Sequence, residues 1–328
     1  MKHIFYIHSF ITYIVSISII SELYINEVDV LFLCGRNFNY YPSSKITIIS
    51  LPPRISELLS VPTYGERFLA LKRAKNIIEF DKLISYFVKN ELFVAYLPNT
   101  KNFLMQLMAT HPKCKNMVFI EEGLLTYTGD FFKKTHEYFS KNFCGKVMRL
   151  IKYPNHINRS FYYRPYTFGF PIKIFVLNKY ENSPPEFEVN VISKIISPSI
   201  DPSYKLNGSH ILILQPTVEQ GDTLLENYLK VISILIEYLK KNGVVNLYVK
   251  FHPEQSIESE ITSTIKNSGI FNKIIPGNIS VEIILLNSEN LYLYGFYSSL
   301  LYYASCWGHH AYSLNKLLEE LSKQSNVL

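Results

Sequence analysis

Short apolar runs alternate with helix-length amphipathic stretches along almost the whole chain, and run after run stops at a polar or glycine-bearing cluster. The first series places strands at Lys2–His8, Val28–Leu33, Ile46–Leu51, Leu92–Leu97, Met117–Ile120 and Lys173–Leu177. Helices fall between them at Ile11–Ile20, about Tyr64–Lys89 and Lys101–Thr110. From about Asn155 to Pro202 the pattern loosens, broken by Pro154, Pro165, Pro171, Pro184, Pro185, Pro198 and Pro202, which marks a join between domains. A second series follows, with strands at Ile211–Leu214, Asn246–Phe251, Lys273–Ile275 and Leu291–Tyr294. Its helices are Thr223–Lys241, Ile257–Asn267, Ser280–Leu286, Ser298–Cys306 and Ser313–Gln324. Such alternation implies parallel sheets flanked by helices. The 328 residues suffice for two domains at roughly 100–200 residues each. The expectation is an α/β chain of two halves with a cleft between them: residues 1–175, then 205–312, with a last helix over 313–328 packing back on the first.

Composition narrows the class. With 48% hydrophobic and 18% charged residues the chain has material for a buried core, and disorder is excluded. The net charge is +6. The densest basic groups, Lys72, Arg73, Lys75 and Lys133, Lys134, sit inside helix-like stretches and read as solvated faces, so no nucleic-acid partner is expected. An anionic small substrate or a membrane-surface partner fits the same charge. The four cysteines, Cys34, Cys114, Cys144 and Cys306, are widely spaced with no CxxC pair. They read as reduced thiols of a cytosolic protein and form no zinc site. From His3 to Ile20 there is no formally charged residue, about the length of a membrane span. His3, His8 and several hydroxyls interrupt it, however, and no small-residue cleavage site follows. It reads instead as a buried strand and then a helix with Ser9 as its N-cap.

In open α/β sheets ligands bind beyond the carboxyl ends of strands, and four polar clusters fall there. Two carboxylates after a buried strand, Glu121-Glu122, suit a general base, because desolvation and like-charge proximity raise one of them. Gly123 permits a turn closed to other residues. Gln215-Pro216 is followed by Glu219 and Asp222. His252, stopped by Pro253, has the chemistry to donate to a phosphate oxygen or to act as an acid near neutral pH. Ser298 and Ser299, after Gly295 and at a helix start, supply hydroxyls and N–H groups that cradle a phosphate; either serine is equally an ordinary cap. The five aspartates never form DxD, so a carboxylate pair clamping a metal–diphosphate is not supported, and no GxGxxG, Walker loop, GxSxG or HExxH occurs. His309-His310 has no partner at metal-ligand spacing and reads as a surface pair.

Taken together, Glu121-Glu122-Gly123, His252-Pro253 and Ser298-Ser299 resemble the acidic-acidic-glycine, His-Pro and Ser-Ser motifs of bacterial GT-B sialyltransferases. The nearest flavour is glycosyltransferase family 52, the lipo-oligosaccharide sialyltransferases. Glu121 to Tyr127 resembles that family's acidic-glycine-tyrosine stretch. Leu214-Gln215-Pro216 resembles its Thr-Gln-Pro, and Lys250-Phe251-His252-Pro253 its Lys-Pro-His-Pro. The opening around His8-Ser9-Phe10 also fits. Leu214 and Phe251 depart from the pattern, and the carboxylate after Gln215-Pro216 is displaced, leaving Glu219 and Asp222 as rivals.

The resemblance implies a GT-B fold of two Rossmann-like domains. It also implies inverting, metal-independent transfer of sialic acid, or a related nonulosonic acid, from its CMP-activated form to a hydroxyl of a bacterial surface glycan, as in lipo-oligosaccharide or capsule biosynthesis. Glu121 is preferred as the base, with Glu122 and Asp222 beside it. His252 meets the departing phosphate, and Gly123, Gln215, Pro216, Pro253, Gly295, Ser298 and Ser299 surround the donor. The first domain then binds the acceptor and the second CMP. A cytoplasmic enzyme is implied, at the inner face of the membrane where its acceptor is a glycolipid. Whether it forms a homodimer is left open. The competing readings are a GT-B transferase with another nucleotide sugar, a related capsule polysialyltransferase, or a non-catalytic GT-B partner in polysaccharide assembly.

Overall fold

The structure, a computed structural model, describes residues 1–35, 43–52, 70–99, 103–109, 111–127, 172–179, 187–252, 254–255 and 259–325. The chain divides into two compact units, Met1–Pro198 and Ser199–Leu328.

Unit 1 is built on a seven-stranded sheet. Its strands are β1 (Lys2–Ile7), β2 (Val30–Cys34), β3 (Thr47–Ser50), β4 (Phe93–Leu97), β5 (Cys114–Ile120), β6 (Ile172–Val176) and β7 (Phe187–Val191). They lie in the order β3-β2-β1-β4-β5-β6-β7 and every pairing is parallel. Every residue of β2 and β4 is buried, as continuous apolar runs must be when helices cover both faces of a parallel sheet. The helices are α1 (Phe10–Glu22), α2 (Ala70–Val88) and α3 (Phe103–Ala109). Phe80, Ile84 and Val88 of α2 and Leu104, Leu107 and Met108 of α3 pack with Ile4, Leu31, Phe93 and Phe119 of the sheet. The uncharged amino terminus becomes β1 and α1. Ser9 caps α1, with a reciprocal capping box to Thr12. Ile11 through Ile20 are all buried. Ser16 and Ser18 turn their hydroxyls back onto the carbonyls of Thr12 and Ile14, at 2.6 and 2.8 Å, so the hydroxyls that interrupt the apolar run cost little inside. Among the described residues no helix is long and apolar enough to cross a membrane.

Unit 2 carries β8 (His210–Ile213), β9 (Leu247–Lys250), β10 (Phe271–Ile275), β11 (Tyr292–Gly295) and β12 (His310–Ser313). Their order is β10-β9-β8-β11-β12, again all parallel. Its helices are α4 (Leu225–Lys241), α5 (Glu260–Lys266), α6 (Val281–Asn287), α7 (Ser299–Cys306) and α8 (Asn315–Ser325). Tyr228, Val231, Ile232, Leu235, Ile236 and Leu239 form the helical stripe that α4 buries. As expected, the helix stops at Asn242-Gly243, with Gly243 at φ +75°.

These are two parallel, Rossmann-like α/β domains. Four details differ from the sequence reading. Strand β7 was not expected; it pairs with β6, so unit 1 runs past residue 175. Strand β12 was likewise unexpected. The last helix lies within unit 2, where Leu318 joins the core around α4, rather than on the first domain. His309 is not a surface residue: it is buried, its Nδ1 accepts from Leu291 N–H at 3.2 Å and its Nε2 meets the Leu285 carbonyl at 3.0 Å. Burial holds its pKa below the ordinary histidine value. Cys34, Cys114 and Cys306 are free thiols. Cys144, Lys72, Arg73, Lys75, Lys133 and Lys134 lie where side chains are outside the description.

Candidate active site

In unit 1 the strand order reverses between β1 and β4, which opens a crevice at their carboxyl ends. Three neighbouring strand ends each deliver a polar side chain there: His8 after β1, Asn99 after β4 and Glu122 after β5. The two acidic residues part company because successive side chains leave a strand on opposite faces. Glu121 is 0% exposed. Its Oε2 accepts the Leu177 N–H at 2.6 Å and the hydroxyl of Tyr127, and that hydroxyl accepts the Asn178 N–H at 3.2 Å. The Glu121 carboxylate thus ties the turn after β5 to the end of β6.

Glu122 is the accessible member, its side chain 26% exposed. Its Oε1 lies 3.1 Å from His8 Nε2, and its Oε2 accepts from Asn99 Nδ2 at 2.8 Å. Its own N–H donates to Thr126 Oγ1 at 3.1 Å. Gly123 has φ +151°, a backbone that side-chain-bearing residues rarely adopt. Among the described residues, His8 Nδ1 and Asn178 Nδ2 are buried without a hydrogen-bond partner.

In unit 2 the reversal lies between β8 and β11, so the loops after those strands flank its crevice. Gln215-Pro216 opens the first. Its turn is closed by Gln220 N–H to Pro216 O at 2.9 Å and Asp222 N–H to Thr217 O at 2.8 Å, with Gly221 at φ +77°. Glu219 and Asp222 are both exposed on it. His252 follows β9. A side chain the sequence reading passed over, Gln255, joins the two loops: it is buried, donates to Gln215 O at 2.8 Å and accepts the His252 N–H at 3.1 Å. His252 Nδ1 accepts the Glu254 N–H at 3.3 Å, which leaves the proton of the neutral ring on Nε2. Pro253 lies outside the described residues.

After β11, Gly295 fits because a Cβ there would come within 3.1 Å of Ile213 O and 3.2 Å of Ile213 Cβ. Ser298 caps α7, its hydroxyl accepting the Leu300 N–H at 3.3 Å. Ser299 is the first residue of the helix. The exposed Tyr297 donates its hydroxyl to Glu319 Oε1 at 2.5 Å, and that carboxylate pushes the phenol's pKa up. Lys250, in the run before His252, is not a free cation. Its Nζ donates to the carbonyls of Pro276, Gly277 and Ile279 at 2.6, 3.2 and 2.7 Å, and burial lowers its pKa to about 8.

The structure therefore gathers Glu122 with His8 and Asn99 in unit 1, and Gln215 with His252 in unit 2. Glu121 stands apart as a buried tie. Among the described residues no group of three His, Cys, Asp or Glu is arranged to hold a metal ion. His8 obeys the same strand-end rule, but the sequence reading places it only in the opening segment around His8-Ser9-Phe10 and not as a site residue. Asn99 and Gln255 carry no signal of their own without the strand order.

A family model described as Alpha-2,8-polysialyltransferase (POLYST) matches residues 13–310. No curated protein matches the chain. Similar solved structures include the UDP-GlcNAc 2-epimerase from Methanocaldococcus jannaschii, at 13% identity over 98% of this chain and 92% of that one, with a TM-score of 0.47. The S. aureus MnaA–UDP co-structure is similar at 11% identity over 94% and 77%, with a TM-score of 0.45. MurG from Acinetobacter baumannii is similar at 8% identity over 100% and 95%, with a TM-score of 0.34. With the family match spanning most of its length, the chain belongs to the alpha-2,8-polysialyltransferase family and is a sialyltransferase.

Proposed function

We propose that this sialyltransferase moves sialic acid, with inversion, from its CMP-activated form to a hydroxyl of a glycan that itself ends in sialic acid. The family description supports the linkage, and the +6 charge suits an anionic acceptor displayed at a membrane surface. The two parts of the chemistry are assigned unit by unit. In unit 1, Glu122 takes the acceptor hydroxyl's proton as the new bond forms at the anomeric carbon, which passes through an oxocarbenium-like state. In unit 2, the bond to the CMP phosphate oxygen breaks, and His252 Nε2–H donates to that oxygen. Ser299, the capped start of α7 and its N–H groups hold the phosphate. One phosphate leaves rather than two, so the charge to be met is small enough for donors of this kind, and turnover needs no added metal.

The observation that carries this reading is the split between the two carboxylates. Glu122 is open and oriented at both oxygens, whereas Glu121 is enclosed and already accepts two hydrogen bonds through one oxygen. The test is acceptor-dependent CMP release from CMP-N-acetylneuraminate with EDTA present, using sialylated acceptors. Glu122→Gln should lower turnover by about 10²–10⁴-fold, the usual contribution of a general base, and His252→Ala should lower it as well. Glu121→Gln should keep most of it. Turnover of a UDP-sugar with silence toward CMP donors would overturn the donor assignment, and loss of activity with EDTA would overturn metal independence.

A further inference from the structure

Glu122 is oriented by two donors of different kinds, and the His8 side chain is itself fixed from three directions. Its backbone N–H donates to Thr12 Oγ1 at 3.2 Å, so the capping box that starts α1 also sets the residue just before the cap. Its ring stacks on Tyr6, with centroids 5.8 Å apart and planes 22° apart. Gly35, at the end of β2, keeps room for that stack: a Cβ there would fall 2.5 Å from Tyr6 Oη and 3.7 Å from His8 Cβ. A carboxylate can only accept, so the proton shared with Glu122 sits on His8 Nε2 and the neutral ring's lone pair on Nδ1. That Nδ1 is the atom with no partner among the described residues. The imidazole is thus a donor at one end only, aimed at Glu122 Oε1.

We propose that His8 is a positioning residue of the transfer reaction, holding the Glu122 carboxylate in the one orientation from which it meets the acceptor hydroxyl. The assignment rests on Glu122 being the base. The side chain acts through Glu122, with Asn99 fixing the second oxygen. Among the described residues, the groups about this pair are Glu122 on the β5 turn, the Tyr6 ring on β1 and the neutral Asn99 after β4. Glu121, the other carboxylate of the turn, is enclosed by Tyr127 and Leu177. A base swung off line by about 1 Å loses on the order of 10²-fold in rate while substrate binding is nearly kept.

The experiment measures kcat and acceptor KM for Glu122→Gln, His8→Leu, His8→Gln and His8→Asn, with the Tm of each. Glutamine places an amide donor where Nε2 stands, whereas asparagine is too short and offers its donor near Nδ1. His8→Leu should lower kcat by roughly 10²-fold with acceptor KM changed less than about threefold. His8→Gln should recover at least tenfold of that loss, and His8→Asn should not. Wild-type kcat in His8→Leu, or equal loss in the leucine and glutamine variants with a matching fall in Tm, overturns the proposal. If His8→Leu does not fold, the glutamine–asparagine difference decides alone, and its absence overturns it. Glu122→Gln at wild-type turnover overturns the base assignment itself, a failure visible before the His8 variants are compared.

Discussion

Adjacent glutamates with opposite fates show how much one step along a strand decides. Glu121 accepts a backbone N–H and a phenol hydroxyl in a fully buried position. Truncating it removes the acceptor of Tyr127 Oη–H and of the Leu177 N–H, and the loss of each such hydrogen bond in the interior costs about 1–3 kcal/mol. Glu121→Ala should therefore destabilise unit 1 by roughly 2–5 kcal/mol, seen as a clear drop in Tm. Glu121→Gln retains an acceptor oxygen and should be far milder. A Glu121→Ala variant with wild-type Tm but no turnover would instead make Glu121 the chemical base. The sequence motif singled out both carboxylates correctly as a strand-end pair. Which of them faces outward depended on the phase of β5, and nothing in residues 121–123 themselves reveals it.

At the scale of elements, the buried strands and the edge strands β3 and β10 were legible, and the other two edges were not. β1, β2, β4, β5 and β8 are apolar runs because helices cover them on both faces. β7 and β12 lie at sheet edges, and β12 reads His-Ala-Tyr-Ser, largely exposed and without an apolar run. Such a strand exists because its neighbour offers a backbone ladder, a property of β11 rather than of its own residues. Strand order was equally hidden, and it is the order that brings His8, Asn99 and Glu122 together. Gly295 joins two of these levels. It ends β11 where the backbone of β8 passes at van der Waals distance, and Leu301 of α7 closes the third side, 3.7 Å from a built Cβ. A methyl group would have to move Ile213 O, a backbone atom at the end of β8 where it pairs with both neighbouring strands. Gly295→Ala should cost about 1–3 kcal/mol by overpacking and should displace the loop that leads to Ser298. CMP affinity, measured by calorimetry, should fall with it. Unchanged CMP binding at reduced Tm would separate that loop from the donor site.

Across the whole molecule the two units repeat one device that no short-period repeat in the sequence betrays. The first strand of each carries a histidine near its start, and the strand across the order reversal carries a tyrosine: His3 Nδ1 lies 3.1 Å from Tyr96 Oη and His210 Nδ1 lies 3.0 Å from Tyr294 Oη. The registers match as well, each tyrosine standing two residues beyond the residue paired with the histidine. Burial lowers the pKa of both imidazoles, and of His309. A histidine whose folded pKa lies below its unfolded value of 6.5 binds fewer protons folded than unfolded across the interval between them. Its stabilising contribution is complete above pH 6.5 and is lost progressively as pH falls toward the folded pKa. The paired carboxylates Glu91, Glu188 and Glu226 are held below their ordinary 4.5, and Lys250 titrates from about 8 upward. Burial raises the Glu282 carboxyl above its ordinary 4.5, which opposes the histidines as pH falls, so their share of the Tm change between about pH 7.5 and 5.5 is read by comparison with a variant that lacks them. In the wild type the histidines pull Tm down across that interval. The double variant His3→Asn, His210→Asn keeps a side-chain group near each Nδ1 position but cannot titrate, and its Tm should fall less, with only His309 of the three remaining. An equal fall in both proteins would remove the two His–Tyr pairs as the acid-sensitive elements of the fold.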